Sequence, residues 1–580
     1  MKRSVPFIIL IVLVLATAWG IAETAKKRPQ QASAATAKAD STRTSNDRLI
    51  RLLHSDSLSY DERKTVGLKI LRGHVVFRHD DALLYCDSAY FYEKQNSLDA
   101  YGKVRMLQSD SVIAYGETLF YNGNTRQARL KGKVRLVHKS YTVTQLAADS
   151  VVYDRNRGVA YFDRGGVIRD ELNTLRSIRG EYTPSQHQSV FYENIHLRHP
   201  NFTLEADTLH YNTSNHIAQL QGPTNIDYQD STHIYSTAGW YNTQTEQSML
   251  LHRSIVTHQS GQTMTGDTIF YDKRNKFGRL FGQMHLTDSA QQKTLYGDYG
   301  EMWEKDKRGY ATKQALLVDW SDSVWTYVHA DTLRTEDKPY QLEVLTPRND
   351  STDLVDTTYI DTVTNWIRAY RHVRVYRSDA QCVCDSLSWM DRDSVLRLYY
   401  DPICWQEAMQ VSADSAQIYI HNGSVERICG QGNALAVKHE VKDYYNQLAG
   451  KDMTAYVVDD TIRRIDVNAN ARTIFFPKED DGSYLGMNVT ESNFIKVYFE
   501  KQEVDHSVFT SQSQCTLYPM DKIPGGSDRL SGFFWAAAER PKRPGAVMQH
   551  PARTKRPSAV ISASDSGKEP PITTNTNTKK

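Results

Sequence analysis

Cysteine is scarce in this chain, six among 580 residues, which is too few for the disulfide-built scaffold of a small exported domain. Cys382 and Cys384 are two apart and would share one face of a strand. No second Cys/His pair stands at ligand spacing, so burial or disulfide bonding is their expected role rather than metal binding. Net charge is nearly absent at +2, which argues against a nucleic-acid or polyanion binder. Long apolar runs are missing after the first 22 residues. Missing too are G-x-S-x-G, a Walker-type phosphate loop and H-E-x-x-H. His196 and His199 are three apart but lack a metalloprotease context, and surface positions are expected for them. No catalytic residue, metal or cofactor is therefore expected.

What the chain does have is a repeat. Ala82-Leu83-Leu84-Tyr85-Cys86-Asp87-Ser88-Ala89-Tyr90-Phe91-Tyr92 returns in variant form as Gly116-Glu117-Thr118-Leu119-Phe120-Tyr121-Asn122 and as Ala148-Asp149-Ser150-Val151-Val152-Tyr153-Asp154. Ala206 to Asn212, Gly266 to Asp272 and Ala413 to Tyr419 are further copies. The shared form is a small residue, an acid, Ser or Thr, a β-former, any residue, an aromatic, then Asp or Asn. Its early acids stand 30 to 32 residues apart, too close for four-stranded propeller blades. Between copies, Gly102-Lys103-Val104-Arg105-Met106 and Gly132-Lys133-Val134-Arg135-Leu136 alternate apolar with cationic, the period of a half-buried strand. Asn122-Gly123-Asn124 and Arg155 to Gly158 read as turns. Each unit is a few antiparallel strands that cannot bury its apolar face alone, so copies must stack. The fold class is all-β.

The repeated acid invites a calcium or catalytic reading, but the close Gly and Asp spacing of calcium β-rolls is absent. An acid before Ser or Thr at a strand entrance is expected to make a side-chain-to-backbone turn instead. Acids recurring in every unit also suit a scaffold better than the single special rung of a carbohydrate-active β-helix.

In chain order, residues 1–22 read as a signal peptide or an N-terminal anchor: Lys2 and Arg3, an apolar run from Phe7 to Ala18, then Gly20-Ile21-Ala22. No cysteine lies nearby, which argues against a lipoprotein. Residues 23–47 read as a disordered linker. Residues 48–335 form a first repeat block, and 336–365 an irregular insertion holding acids and Pro347. Residues 366–535 form a second block, closed by the aromatic cap Arg529 to Trp535, and 536–580 read as a disordered tail.

The recurring A-D-S-x-x-Y-D followed by G-x-V-x-L resembles the OstA-like domain, seen in Asp149 to Asp154 and Gly132 to Leu136. That domain belongs to the LptA-like periplasmic bridge for lipopolysaccharide and to the N-terminus of its outer-membrane translocon. The layout from Arg48 to Trp535 is similar to the long OstA-like proteins of Bacteroidetes, with Leu83 to Ala89, Gly450 to Tyr456 and Leu517-Tyr518-Pro519 included. The chain departs from a single bridge subunit by its far greater length. The resemblance implies stacked β-jellyrolls, each two sheets in a V around an apolar groove for lipid A acyl chains. It also implies a periplasmic location, associated with the inner or outer membrane, and partners among the other lipopolysaccharide-transport proteins. Inward residues Val75, Phe77, Val104, Met106, Val134 and Leu136 would line the groove or fill a closed core. Arg105 and Arg135 would meet lipid phosphates or solvent. Unpaired edge strands would dock partner jellyrolls. A structural or adhesive surface β-repeat protein, without lipid cargo, is the alternative.

Overall fold

The computed structural model describes residues 49–60, 67–108, 111–139, 143–229, 231–290, 292–303, 305–321, 323–347, 355–390, 392–421, 424–459, 461–479, 481–500, 503–554 and 556. The expected signal segment and linker lie outside them, as does 557–580. Nearly every described element is an antiparallel strand; no α-helix occurs among these residues, only short 3-10 turns. The all-β expectation holds.

Each strand of the repeat is bent at its middle. Ala82–Tyr92 buries Ala82, Leu84 and Cys86, then Ala89 and Phe91, so its alternation slips by one residue. The slip is a bulge between Tyr85 and Ser88, facing a bulge between Tyr101 and Val104 on Ser97–Gln108. There Gly102 and Lys103 take left-handed φ values of 75° and 43°. A Cβ on Gly102 would lie 2.6 Å from Asp87 Oδ2. The acid of the repeat thus packs over the glycine of its neighbour's bend. Glu117 with Gly132, Asp267 with Gly282 and Asp414 with Gly432 repeat the pairing.

This corrects the strand-entrance reading of the acid. It sits mid-strand at the crease, and its role is to cover backbone that only glycine can bend so sharply. Gly102→Ala is expected to destabilise by about 1–3 kcal/mol, read from denaturant unfolding. Adding Asp87→Ala should return part of that loss, because the clash is with a side chain while the φ strain remains. Full additivity of the two losses would contradict the pairing.

The last residue of the repeat has a separate role. Asn122 Oδ1 accepts the N–H groups of Asn124 (2.9 Å) and Thr125 (3.1 Å). Asp154 does the same for Asn156 and Arg157, and Asn242 for Gln244 and Thr245. These side chains close the turns expected from the sequence.

The described residues divide into two compact units, 49–315 with 334–337 and 316–333 with 338–556. In the first, successive bends align, so the sheet is creased and its two wings face each other. Phe77 and Phe91 are not partners in the ladder, yet their rings meet at 5.3 Å across the interior. Two facing sheets are thus made from one folded ladder.

In the second unit the stretch expected to be an irregular insertion is mostly strand, within Thr326–Pro347 and Val355–Tyr376. Pro347 is the last residue of its strand, where a missing N–H interrupts no interior ladder bond. Part of the expected disordered tail is ordered too. Leu530, Phe534 and Ala536 pack with Val383, Trp405, Val437 and Phe476. Ala434 and Ala436, one residue out of phase with Leu435 and Val437, pack on the opposite side with Met453, Ile465 and Val467. One wing of this unit is therefore buried on both faces, and residues 529–554 form a strap over its outer one. Polar composition suggested disorder; an uncovered apolar sheet face decided otherwise. Cys382 and Cys404, opposite each other in register, are disulfide-bonded, and Cys384 is buried as a free thiol.

Candidate functional site

The interior of the first unit is built from in-register apolar rows. Along one wing, Phe77 pairs with Leu84, Leu84 with Met106, Met106 with Ala114, Ala114 with Leu136, and Leu136 with Leu146. The row continues through Ile168, Leu175, Leu197, Leu204, Ile226 and Ile234 to Val256, Met264, Leu286 and Leu295. Each step advances about 4.8 Å. On the facing wing Leu71, Ala89, Ala100, Leu119, Leu130 and Val151 form a second, smaller-volume row. Toward the end of the block Val256 and Leu286 are only partly buried.

All six residues expected to face inward do so. Val75, Phe77, Val104, Met106, Val134 and Leu136 are each at most 3% exposed. Val75, Val104 and Val134 sit just past the crease, opposite Cys86, Gly116 and Ala148. Between the first strands the wings are closed up: the cavity lined by Phe77, Leu84, Leu98, Met106 and Tyr121 is about 10 Å³, no more than one water would need. Arg105 and Arg135 lie on the outer face, over the rings of Tyr85 (4.8 Å) and Tyr115 (5.0 Å). His196 is exposed as expected, but His199 is buried and stacks on Phe202 at 4.7 Å. An apolar neighbour, invisible in a three-residue spacing, decides its place.

Sequence reasoning missed what closes the wings. Opposite the crease their tips meet along a seam of polar contacts. Asp80 pairs with Arg126 at 2.9 Å, and Asp81 with Arg155 at 2.6 Å. Arg155 also donates to the Tyr121 hydroxyl (2.7 Å), which His79 Nδ1 approaches at 2.6 Å. Further on, His138 Nδ1 meets the Tyr182 hydroxyl at 2.8 Å. Asn173 donates to Tyr211 (2.8 Å) and Thr243 (3.1 Å), and Asn201 donates to Glu246 (2.8 Å). Phe202 meets Tyr241 at 4.9 Å, and Lys273 lies 3.5 Å above the Tyr228 ring. Burial, and then His187 beside it, hold the His138 imidazole below its ordinary pKa, while burial pushes the Tyr182 phenol up to about 12. The seam there is uncharged. Beside it, an open recess of about 550 Å³ is lined by Arg198, His199, Phe202, Thr203, Asp227 and Tyr228. Partners in this seam are tens of residues apart, so no local motif could reveal them.

The arrangement is thus a folded antiparallel sheet with an apolar inside, a glycine–acid crease and a polar seam. That is the class of a creased, two-layered antiparallel β-protein. Residues 47–207 match the family model described as OstA-like protein, so this stretch is OstA-like, as the repeat indicated. No curated protein matches. Among solved structures the chain is similar to LptH, the LptA homologous periplasmic component of the conserved lipopolysaccharide transport device from Pseudomonas aeruginosa. Identity is 16%, over 30% of this chain and 82% of that one, with a TM-score of 0.09. Among the described residues no helix is long and apolar enough to cross a membrane.

Proposed function

We propose that the chain binds the acyl chains of lipopolysaccharide between its two wings and carries them through the periplasm toward the outer membrane, without catalysis. The observation that carries this reading is the unbroken apolar row from Phe77 to Leu295. A row in register over so many strands offers a path in one direction, where a core needs only a filled volume. The match of residues 47–207 to OstA-like proteins supports it.

The energetics fit. Exposing one chain of about 14 carbons to water costs about 10 kcal/mol, at about 0.8 kcal/mol per CH₂. An apolar interior removes that cost with no reacting group. Val75, Phe77, Val104, Met106, Val134 and Leu136 are the proposed acyl contacts. Edge strands such as Ser57–Tyr60 and Glu503–Thr510, with mostly exposed side chains, are the proposed docking sites for other transport proteins.

Acylated lipid A is expected to bind the purified full chain, and the same molecule stripped of its acyl chains is expected not to. Fluorescence anisotropy with a headgroup-labelled lipid reads both. Equal binding of the two forms would mean that the headgroup alone is recognised and would end the groove reading.

A further inference from the structure

The second unit brings four metal-ligand side chains to one place from three separate segments. His329 and Asp331 stand on Thr326–Pro347, His372 on Val355–Tyr376, and His550 on the strap. His329 Nε2 and His550 Nε2 are 3.3 Å apart. One ligand atom each from His329, Asp331 and His550 lie within 4.8 Å of one another. His372 Nδ1 is 2.9 Å from Asp331 Oδ2, and its ring centroid is 5.1 Å from that of His550.

Part of this cluster has an ordinary explanation. Asp331 is the acid of a repeat copy, and His372 follows Arg371 at a bend, with left-handed φ of 51° and 62°. Asp56 and His74 form the same acid-to-bend pair at 2.8 Å in the first unit. His329 and His550 are additions that the crease does not require. The crease accounts for Asp331 beside His372, but not for two further imidazoles, one from the strand and one from the strap, brought to the same carboxylate. Two nitrogens bound to one tetrahedral zinc at about 2.0–2.1 Å stand about 3.3 Å apart, which is the separation found.

We propose that His329, Asp331 and His550 bind a divalent transition cation of the zinc type, with His372 holding the Asp331 carboxylate in place. Two imidazoles and a carboxylate suit zinc among the common biological cations. Carboxylates that ligate such ions are themselves held by hydrogen bonds from the outer shell, the part His372 plays here. The bound ion joins the strap to two strands of the sheet. It acts as a clip, closing a loop of more than two hundred residues between His329 and His550.

The test uses the untagged full chain and zinc chloride in titration calorimetry, with cobalt(II) absorption as a second readout. One ion per chain is expected, with tetrahedral cobalt bands and no thiolate charge-transfer band. His550→Ala, at an exposed position, should lose at least about tenfold in affinity, and His372→Ala about 10- to 100-fold. Zinc should slow tryptic cleavage after Arg553 in the wild type but not in His550→Ala. If His550→Ala proves less folded by circular dichroism, His550→Gln takes its place with the same expected loss. No stoichiometric zinc, undiminished affinity in the His550 variant, or a thiolate band would each overturn the proposal. The last would assign the ion to Cys86, Cys384, Cys429 or Cys515.

Discussion

Joining the two wing tips of the first unit covalently is expected to abolish lipid loading while leaving the fold intact. Cysteines in place of Asp81 and Arg155, whose side chains meet at 2.6 Å, bridged by a short bis-maleimide, provide the join. The reasoning is a comparison of magnitudes. Asp81 is exposed but Arg155 is buried, so this pair falls between the about 0–1 kcal/mol of a surface pair and the about 3–5 kcal/mol lost on breaking a buried one, and a neutral hydrogen bond adds about 1 kcal/mol net. One acyl chain leaving water gains about 10 kcal/mol. The seam contacts and the apolar packing behind them hold the empty wings together, and an entering lipid replaces that packing with its own acyl contacts while it parts the seam. A covalent bridge cannot be parted in this way. Loading of headgroup-labelled lipid A should fall at least tenfold on bridging and stay normal in each single-cysteine control, which also accounts for reaction at the exposed Cys515. Undiminished loading of the bridged protein would mean that lipid does not enter through the seam.

The second large effect is expected at the strap. Gln410 is wholly buried and makes three bonds. Its Nε2 donates to the Phe534 carbonyl (3.1 Å), and its Oε1 accepts from the Ala536 N–H (2.8 Å) and from Trp405 Nε1 (3.2 Å). Gln447 grips the strap in the same way, through the Asp528 carbonyl and the Leu530 N–H, both at 2.8 Å. Removing the Gln410 amide strands buried polar groups, each costing about 1–3 kcal/mol. Gln410→Ala is thus expected to lower the stability of the second unit by about 2–5 kcal/mol, and Trp405→Ala by about 3–5 kcal/mol. Trypsin accessibility of the strap during urea unfolding reads the loss, and the first unit should melt unchanged. A loss under about 1 kcal/mol for Gln410→Ala would show that the strap rests on the sheet without support from this clamp.

Much of the interior was legible because its signals are local. Val104, Met106, Val134 and Leu136 alternate with Lys and Arg, and one face of a strand follows from that period. The turns at Asn122 and Asp154 were legible for the same reason. The crease was not, because it joins Asp87 to Gly102 across two strands, and only pairing in register puts them together. The seam was further out of reach: Arg155 and Asp81 are separated by more than seventy residues, and neither lies in a distinctive motif. Residues 536–556 misled in a different way. Their Pro- and Lys-rich composition is that of a disordered segment, yet Ala546 and Val547 are buried and the Glu539 carboxylate accepts the Thr554 N–H at 2.6 Å. Composition counts what a segment brings, and not the apolar surface waiting for it.

The central claim is that the inside of the folded sheet carries lipid, and photo-crosslinking in living cells tests it most directly. A photoreactive residue replaces Val104, which is 1% exposed, and, as the control, its outward neighbour Arg105. Lipopolysaccharide adducts at Val104, at Val134 and Leu136 likewise, and none at Arg105 are predicted. No adduct at any inward position would contradict the groove and leave a closed core, the mark of a structural β-repeat protein.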